Sequence, residues 1–344
     1  MDRVPCLENR PGMVQLIGLS ILQMNCLILP DNDLQIRRNC RIKPMNKINL
    51  TGNFSLSRIV HGQMRMGTWK MSSRELSMLM EGLVDLGVTS FDHADIYGNY
   101  SCESMLGEVL SQNKSLRNKI EIVTKCGIKL VSDKFPQRKI KYYDYSYEHI
   151  VSSADNSLKN LQTDHIDLLL LHRPAPFFDP EAAAKAFSVL KRDGKVLHFG
   201  VSNFTPGQYE MLNAFTEEKL VTNQVEISPY HLEHFENGNM DFFLREKIKP
   251  MAWSPMAGGK LLSPHDEKGS RVKRVLLQVS EEMNFIPVDQ VIYAWLLKHP
   301  VSIMPVVGSG KIERIKLAVE AIKTDMTLEQ WYRIYIAALG KELP

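Results

Sequence analysis

Residues 165–174 read HIDLLLLHRP. Four consecutive leucines show no alternation of apolar and polar, the run is short, and a proline closes it; that is how a strand of a buried parallel sheet reads. Seven more runs of this kind lie around it: RIVHGQMRMG (58–67), GVTSFDHAD (87–95), KIEIVTKCG (119–127), KVLHFGVSNF (195–204), LVTNQVEIS (220–228), IKPMAWSPM (248–256) and VSIMPVVGSG (301–310). Between them lie segments of helical periodicity, among them 73–86, 146–161, 181–192 and 287–298, with start signals in Ser72 and Ser73 before Glu75, Thr205 before Pro206, and Pro287. Strand and helix alternate about eight times, which predicts an α/β chain closed as a (β/α)8 TIM barrel, with an additional C-terminal helix over 323–340. An open Rossmann sheet would carry GxGxxG after its first strand, and none stands there.

The chain has 344 residues, a hydrophobic share of 44%, a charged share of 24% and a formal net charge of +3. Such a balance suits a sizeable core and a small-molecule partner, and it offers no basic footprint for nucleic acid. Five cysteines without CxxC or Cys/His spacing argue against a disulfide framework or structural zinc and for a reducing, cytoplasmic setting. Residues 13–30, MVQLIGLSILQMNCLILP, are apolar, but Gln, Ser and Asn interrupt them and no AxA-like cleavage site follows. The expected organisation is an N-terminal extension over 1–50, poorly structured or following a start placed too early, and a barrel over 51–344; a signal or anchor is the alternative for the extension. No membrane partner is expected, and nothing in the sequence speaks to oligomeric state.

In a (β/α)8 barrel the active site lies at the C-terminal ends of the strands. Those ends carry Asp92 with Tyr97 on the following loop, then Lys125, His172, Ser202 with Asn203, and Gln224. Ionisable and amide groups at the ends of buried runs are costly unless they share a polar pocket. Together they suggest a division of labour. Lys125 lowers the pKa of the Tyr97 phenol, Asp92 holds Lys125 charged, neutral His172 orients a carbonyl oxygen, and Tyr97 donates a proton. No side chain delivers hydride, so a nicotinamide cofactor is required.

The stretches GTW (67–69), DHADIYG (92–98), VTKCG (123–127), DLLLLHRP (167–174), GVSNF (200–204), NQVEISP (223–229), AWSPMAGG (252–259) and GSGKIER (308–314) occur in this order over residues 58–340. In them the chain resembles the aldo-keto reductases, closest to a bacterial branch of NADP-dependent oxidoreductases. The resemblance implies Asp92, Tyr97, Lys125 and His172 as a catalytic tetrad. It also implies Ser202, Asn203 and Gln224 at the nicotinamide carboxamide, Trp253 stacked on the ring, Ser254 and Met256 along pyrophosphate and ribose, and Ser309, Lys311 and Arg314 at the adenosine 2'-phosphate, with Gly308 among the cofactor residues. Gly67 and Thr68 join the cofactor set, and Trp69 is expected as a wall of the substrate pocket. GSGKIER also has a reason of its own, since it opens a helix whose N-terminal N–H groups favour phosphate.

The activity expected is NADPH-dependent reduction of an aldehyde or ketone, or the reverse oxidation of an alcohol. NADH stays open, because Gly308 stands where many relatives carry lysine. A second reading is a cofactor-binding regulatory or sensor subunit on the same scaffold with very slow turnover. A third is a metal-dependent barrel hydrolase using His93 and Asp95 beside Asp92, disfavoured because the other strand ends offer Lys, Ser, Asn and Gln; Asp95 is expected to cap the turn before Tyr97 instead. Phe177 and Phe178 are read with Trp69 as apolar pocket residues.

Overall fold

The computed structural model describes residues 47–344. The expected extension falls outside the described residues except for 47–50, which form most of β1 (Lys47–Thr51); with β2 (Phe54–Ser57) it makes an antiparallel hairpin. Eight parallel strands then close a barrel: β3 (Val60–Gly62), β4 (Ser90–Asp92), β5 (Glu121–Cys126), β8 (Ile166–Leu171), β9 (Val196–Ser202), β10 (Leu220–Glu226), β11 (Met251–Trp253) and β12 (Met304–Val307), neighbours in sequence being neighbours in the sheet. All eight apolar runs contribute a barrel strand. The two remaining strands, β6 (Ile128–Lys129) and β7 (Tyr142–Tyr143), make a small ribbon beyond β5.

Helices α1 (Ser73–Asp85), α2 (Cys102–Gln112), α3 (Tyr147–Leu161), α4 (Pro180–Arg192), α5 (Pro206–Phe215) and α6 (Asn239–Arg245) return the chain between strands. Two helices, α7 (Glu267–Glu282) and α8 (Val288–Lys298), fill the interval before β12, and α9 (Ile312–Glu320) follows it. The C-terminal helix α10 (Leu328–Leu339) is shorter than the span 323–340, because Thr327 and Gln330 form a capping box that starts it afresh and Gly340 stops it in the left-handed region. Capping boxes at Ser72–Glu75 and Thr205–Gln208 start α1 and α5 as their sequences predict.

The leucine run shows how the core is divided. Leu168 and Leu170 enter the barrel interior with Val60, Val123, Val221, Met251, Met304 and Val306, whereas Leu169 and Leu171 join the larger cluster that includes residues of the helices. Phe54 and Leu56 of the hairpin belong to the same interior cluster, so β1 and β2 contribute to the barrel floor. Period-two alternation then sets the next interior positions: Val123 leads to Lys125, Leu170 to His172, and Ser90 to Asp92. Strand β10 breaks the rule with a register shift between Leu220 and Asn223. One extra residue there lets both Val221 and Gln224, three apart, face inward.

Candidate active site

Lys125 is the centre of the site. It is 1% exposed, and its ammonium donates to both oxygens of Asp92 at 2.8 Å, to the His93 carbonyl at 2.7 Å and to the Tyr97 hydroxyl at 3.1 Å. Gln224 Nε2 donates to Asp92 Oδ1 at 2.7 Å, tying β10 to the same carboxylate. The segment after β4 is held to β5 by His93 N–H to Val123 O and Asp95 N–H to Lys125 O, and Tyr97 N–H closes a turn on Ala94 O. Gly98, Asn99 and Tyr100 then run at positive φ, which turns the chain sharply directly after the phenol. Ile96 stands at the cap position of the short helical turn that begins at Tyr97, and Asp95 Oδ1 is buried without a partner.

The electrostatics correct one expectation. Burial pushes the Tyr97 phenol above its usual value; Lys125 pulls it down, and Asp92 adds to the upward shift. Tyr97 is thus held as a protonated acid in the free protein, its ammonium neighbour offsetting desolvation only in part. Burial disfavours the Lys125 charge, yet Asp92 and Tyr97 more than compensate and raise its pKa. His172 is driven well below the ordinary histidine range by burial and by Lys125, Arg173 and Lys141, so it is neutral near pH 7. Its ring lies edge-to-face with Tyr97 at 5.9 Å.

A cavity of about 460 Å3 opens over this cluster. Asp92, Tyr97, His172, Ser202, Asn203, Gln224, Trp253, Ser254, Met256, Gly308, Ser309 and Arg314 all line it. Lys125 lies one layer beneath. Ser202 Oγ donates to the Gln224 carbonyl, Asn203 Nδ2 to Ser202 Oγ, and Trp253 Nε1 to Asn203 Oδ1. Past β12, no side chain caps α9, and Arg314 sits in its first turn. The His61 ring holds this loop by donating Nε2–H to Ser309 O at 2.9 Å while its Nδ1 accepts from Gln63.

The family model of the "Aldo/keto reductase family" matches residues 58–338. The chain belongs to that family. This aldo/keto reductase is 47% identical over 300 residues, 87% of its length and all of the relative's, to the "Uncharacterized oxidoreductase YcsN" of Bacillus subtilis. It is 39% identical over 300 residues, with the same coverage, to a "6-dehydroglucose reductase" of Agrobacterium fabrum. Among solved structures it superposes with a TM-score of 0.71 on a thermostable aldo-keto reductase crystallised with the inhibitor epalrestat; 85% of this chain and all of that one are covered at 22% identity, a likeness of fold. Family membership and these relatives make the protein an NAD(P)H-dependent oxidoreductase acting on carbonyl groups. Among the described residues no helix is long and apolar enough to cross a membrane.

Six of this reductase's sequence-predicted site residues stand elsewhere. Gly67 and Thr68 lie in a 3-10 turn that buries Met66 and leaves both exposed, outside the cavity lining. Trp69 is no wall of the cavity. Its indole packs on Gly310, where an added Cβ would come within 2.9 Å, and lies 5.7 Å from the His61 ring, bracing the loop that carries Ser309. Lys311 occupies the N-cap position of α9 with an exposed side chain, and Phe177 is 95% exposed while Phe178 packs on Tyr145 and Phe204. Conversely, Met64, Arg65, Ile96, Lys141, Arg173, Asp289 and Tyr293 line the cavity although the sequence reading gave them no role. Met64, Arg65 and Arg173 were within reach of the strand-end rule, following β3 and β8 directly; Asp289 and Tyr293, on α8, were not.

Proposed function

We propose that the protein reduces an aldehyde or ketone with NADPH, and oxidises the corresponding alcohol in reverse. The observation that carries this reading is the Lys125 ammonium bridging Asp92 and the Tyr97 hydroxyl beneath the cavity, with neutral His172 beside them. In this reading Tyr97 protonates the carbonyl oxygen, Lys125 stabilises the phenolate left behind, and Asp92 with Gln224 fixes Lys125. In this reading the neutral His172 ring carries its proton on Nε2, which donates to the same oxygen and favours charge developing there, Nδ1 being buried without a partner.

The residues fit a dinucleotide. A polar patch at Ser202, Asn203 and Gln224 lines the cavity, and the Gly308–Arg314 loop adds free helical N–H groups and a guanidinium. When bound, the reduced nicotinamide supplies the hydride. Arg314 at the phosphate end favours NADPH over NADH. The relative named for 6-dehydroglucose suggests including sugar-derived aldehydes in any substrate panel.

Steady-state reduction of a carbonyl panel with NADPH and with NADH, on wild type and Tyr97→Phe, decides the matter. Brisk turnover is expected, with Tyr97→Phe slower by about 10²–10⁴-fold at unchanged cofactor affinity. Wild-type rates in Tyr97→Phe would remove the phenol from its role. Tightly held cofactor with almost no turnover on any carbonyl would favour the sensor subunit instead.

A further inference from the structure

Cations stand at two well-separated places around the cavity. Arg314 follows β12, and Arg173 follows β8. In the closed order of the barrel β8 is four strands from β12 in either direction, so the two strands are on opposite sides. A phosphate gripped at the head of α9 therefore leaves Arg173 unanswered. The side chain of Arg173 is half-buried, lines the cavity, and lies over the Trp253 ring with Cζ 5.3 Å from its centre. Its backbone is fixed at both ends of the residue. The Tyr145 hydroxyl donates to Arg173 O at 2.6 Å and accepts from Arg173 N–H at 2.9 Å, and Gly127, at φ +109°, has no side chain because the Tyr145 ring occupies the place where its Cβ would stand. Buried Tyr145 is thus a post that carries Arg173 at the substrate end, directly after His172.

No carboxylate among the described residues lies within ion-pair distance of this guanidinium. Among the described residues neither Arg173 nor Lys141 makes an ion pair, although both line the cavity and both depress the His172 pKa. Glu226 senses the Arg173 charge, which pulls its titration down against burial, but makes no ion pair with it; its contact at 3.1 Å is with the His231 ring, which burial and nearby lysines hold below the ordinary histidine range. Asp92 is consumed by Lys125. A guanidinium on an anchored backbone in a cavity wall, set over Trp253 but in no ion pair among the described residues, is available to an incoming oxyanion, which it can bind through two parallel hydrogen bonds.

We infer that the substrate carries a carboxylate or phosphate beside its carbonyl, and that Arg173, assisted by Lys141, is the residue that selects it. This rests on the reductase reading above. The trial is kcat/KM for two matched pairs, succinic semialdehyde against its methyl ester and glyceraldehyde 3-phosphate against glyceraldehyde, in wild type, Arg173→Gln and Arg173→Lys, with NADPH affinity followed by fluorescence. At least one anionic member should lead its neutral twin by roughly tenfold to a hundredfold, through KM, and that ratio should collapse in Arg173→Gln and return in part in Arg173→Lys. In wild type the same KM should rise between about 0.05 and 0.5 M NaCl while the neutral twin's does not, a readout that survives if the variants misfold.

Neutral twins reduced as well as the anions, or a preference that persists in Arg173→Gln, would overturn the proposal and leave the reductase reading standing. So would Arg173→Gln acting through weaker NADPH binding, which would assign the guanidinium to the cofactor. Failure of every carbonyl in the wider panel, with NADPH still bound, would take down the reductase reading and this inference with it.

Discussion

The two ends of the cavity are built on opposite terms. Around Lys125 the bonds close on one another: Asp92, Tyr97, the His93 carbonyl and Gln224 form one network drawn from β4, the loop after it, β5 and β10. Past β12 the functional groups are exposed and held mainly through backbone, with Ser309 gripped by its carbonyl and Gly310 wedged on Trp69. In the proposed reading the difference follows from the work each end does. A proton donor needs a fixed pKa, which only a dry, ordered neighbourhood supplies, whereas a phosphate brings its own charge and asks only for free donors and room to enter.

Breaking the buried end should therefore have the larger effect. Asp92→Asn leaves an ammonium buried without its carboxylate, and a loss of about 3–5 kcal/mol in stability is expected together with loss of most turnover; chemical denaturation and steady-state rates check it, and near-normal stability would show that the Lys125 charge is not held by Asp92. At the open end, Arg314→Leu should weaken NADPH binding by roughly tenfold to a hundredfold, leave the melting temperature close to wild type and narrow the gap to NADH, as read by fluorescence titration. Equal losses for both dinucleotides would place Arg314 away from the extra phosphate.

The smallest effect sharpens the contrast through pH. Burial pushes His61 down to about 4 and His93 to about 3. With folded pKa values below the unfolded value near 6.5, the unfolded chain binds more protons as pH falls through 6.5, so stability declines there and levels off only below the folded values. Between pH 7 and 5.5 each ring should remove roughly 1 kcal/mol. Denaturation midpoints at the two pH values measure this, and a flat response would mean that neither ring is truly shut off from solvent.

Much of this was legible in the sequence for a simple reason. A strand with both faces buried has to be apolar along its length, so HIDLLLLHRP and its seven counterparts announced a parallel barrel, and the polar residue that ended several runs announced the site. Less visible were the places where the chain leaves the strand. The turn after Thr68 carries Trp69 away from the cavity, and no local pattern distinguishes that from a pocket wall. Tyr145 carries no local signal of its place, and only its contacts with Gly127 and Arg173 make it a buried support.

What the sequence determined by itself was the order of strands and helices and the set Asp92, Tyr97, Lys125 and His172, because hydrophobic periodicity and the expense of burying charge are local properties that each segment declares alone. What only the tertiary structure decided was which groups meet and in what protonation state. Tyr97 is a phenol that burial raises further than Lys125 lowers it, and Arg173 lines the cavity in no ion pair among the described residues; both depend on how much water the closed barrel excludes and on which charges stand opposite, quantities that belong to no single stretch of chain.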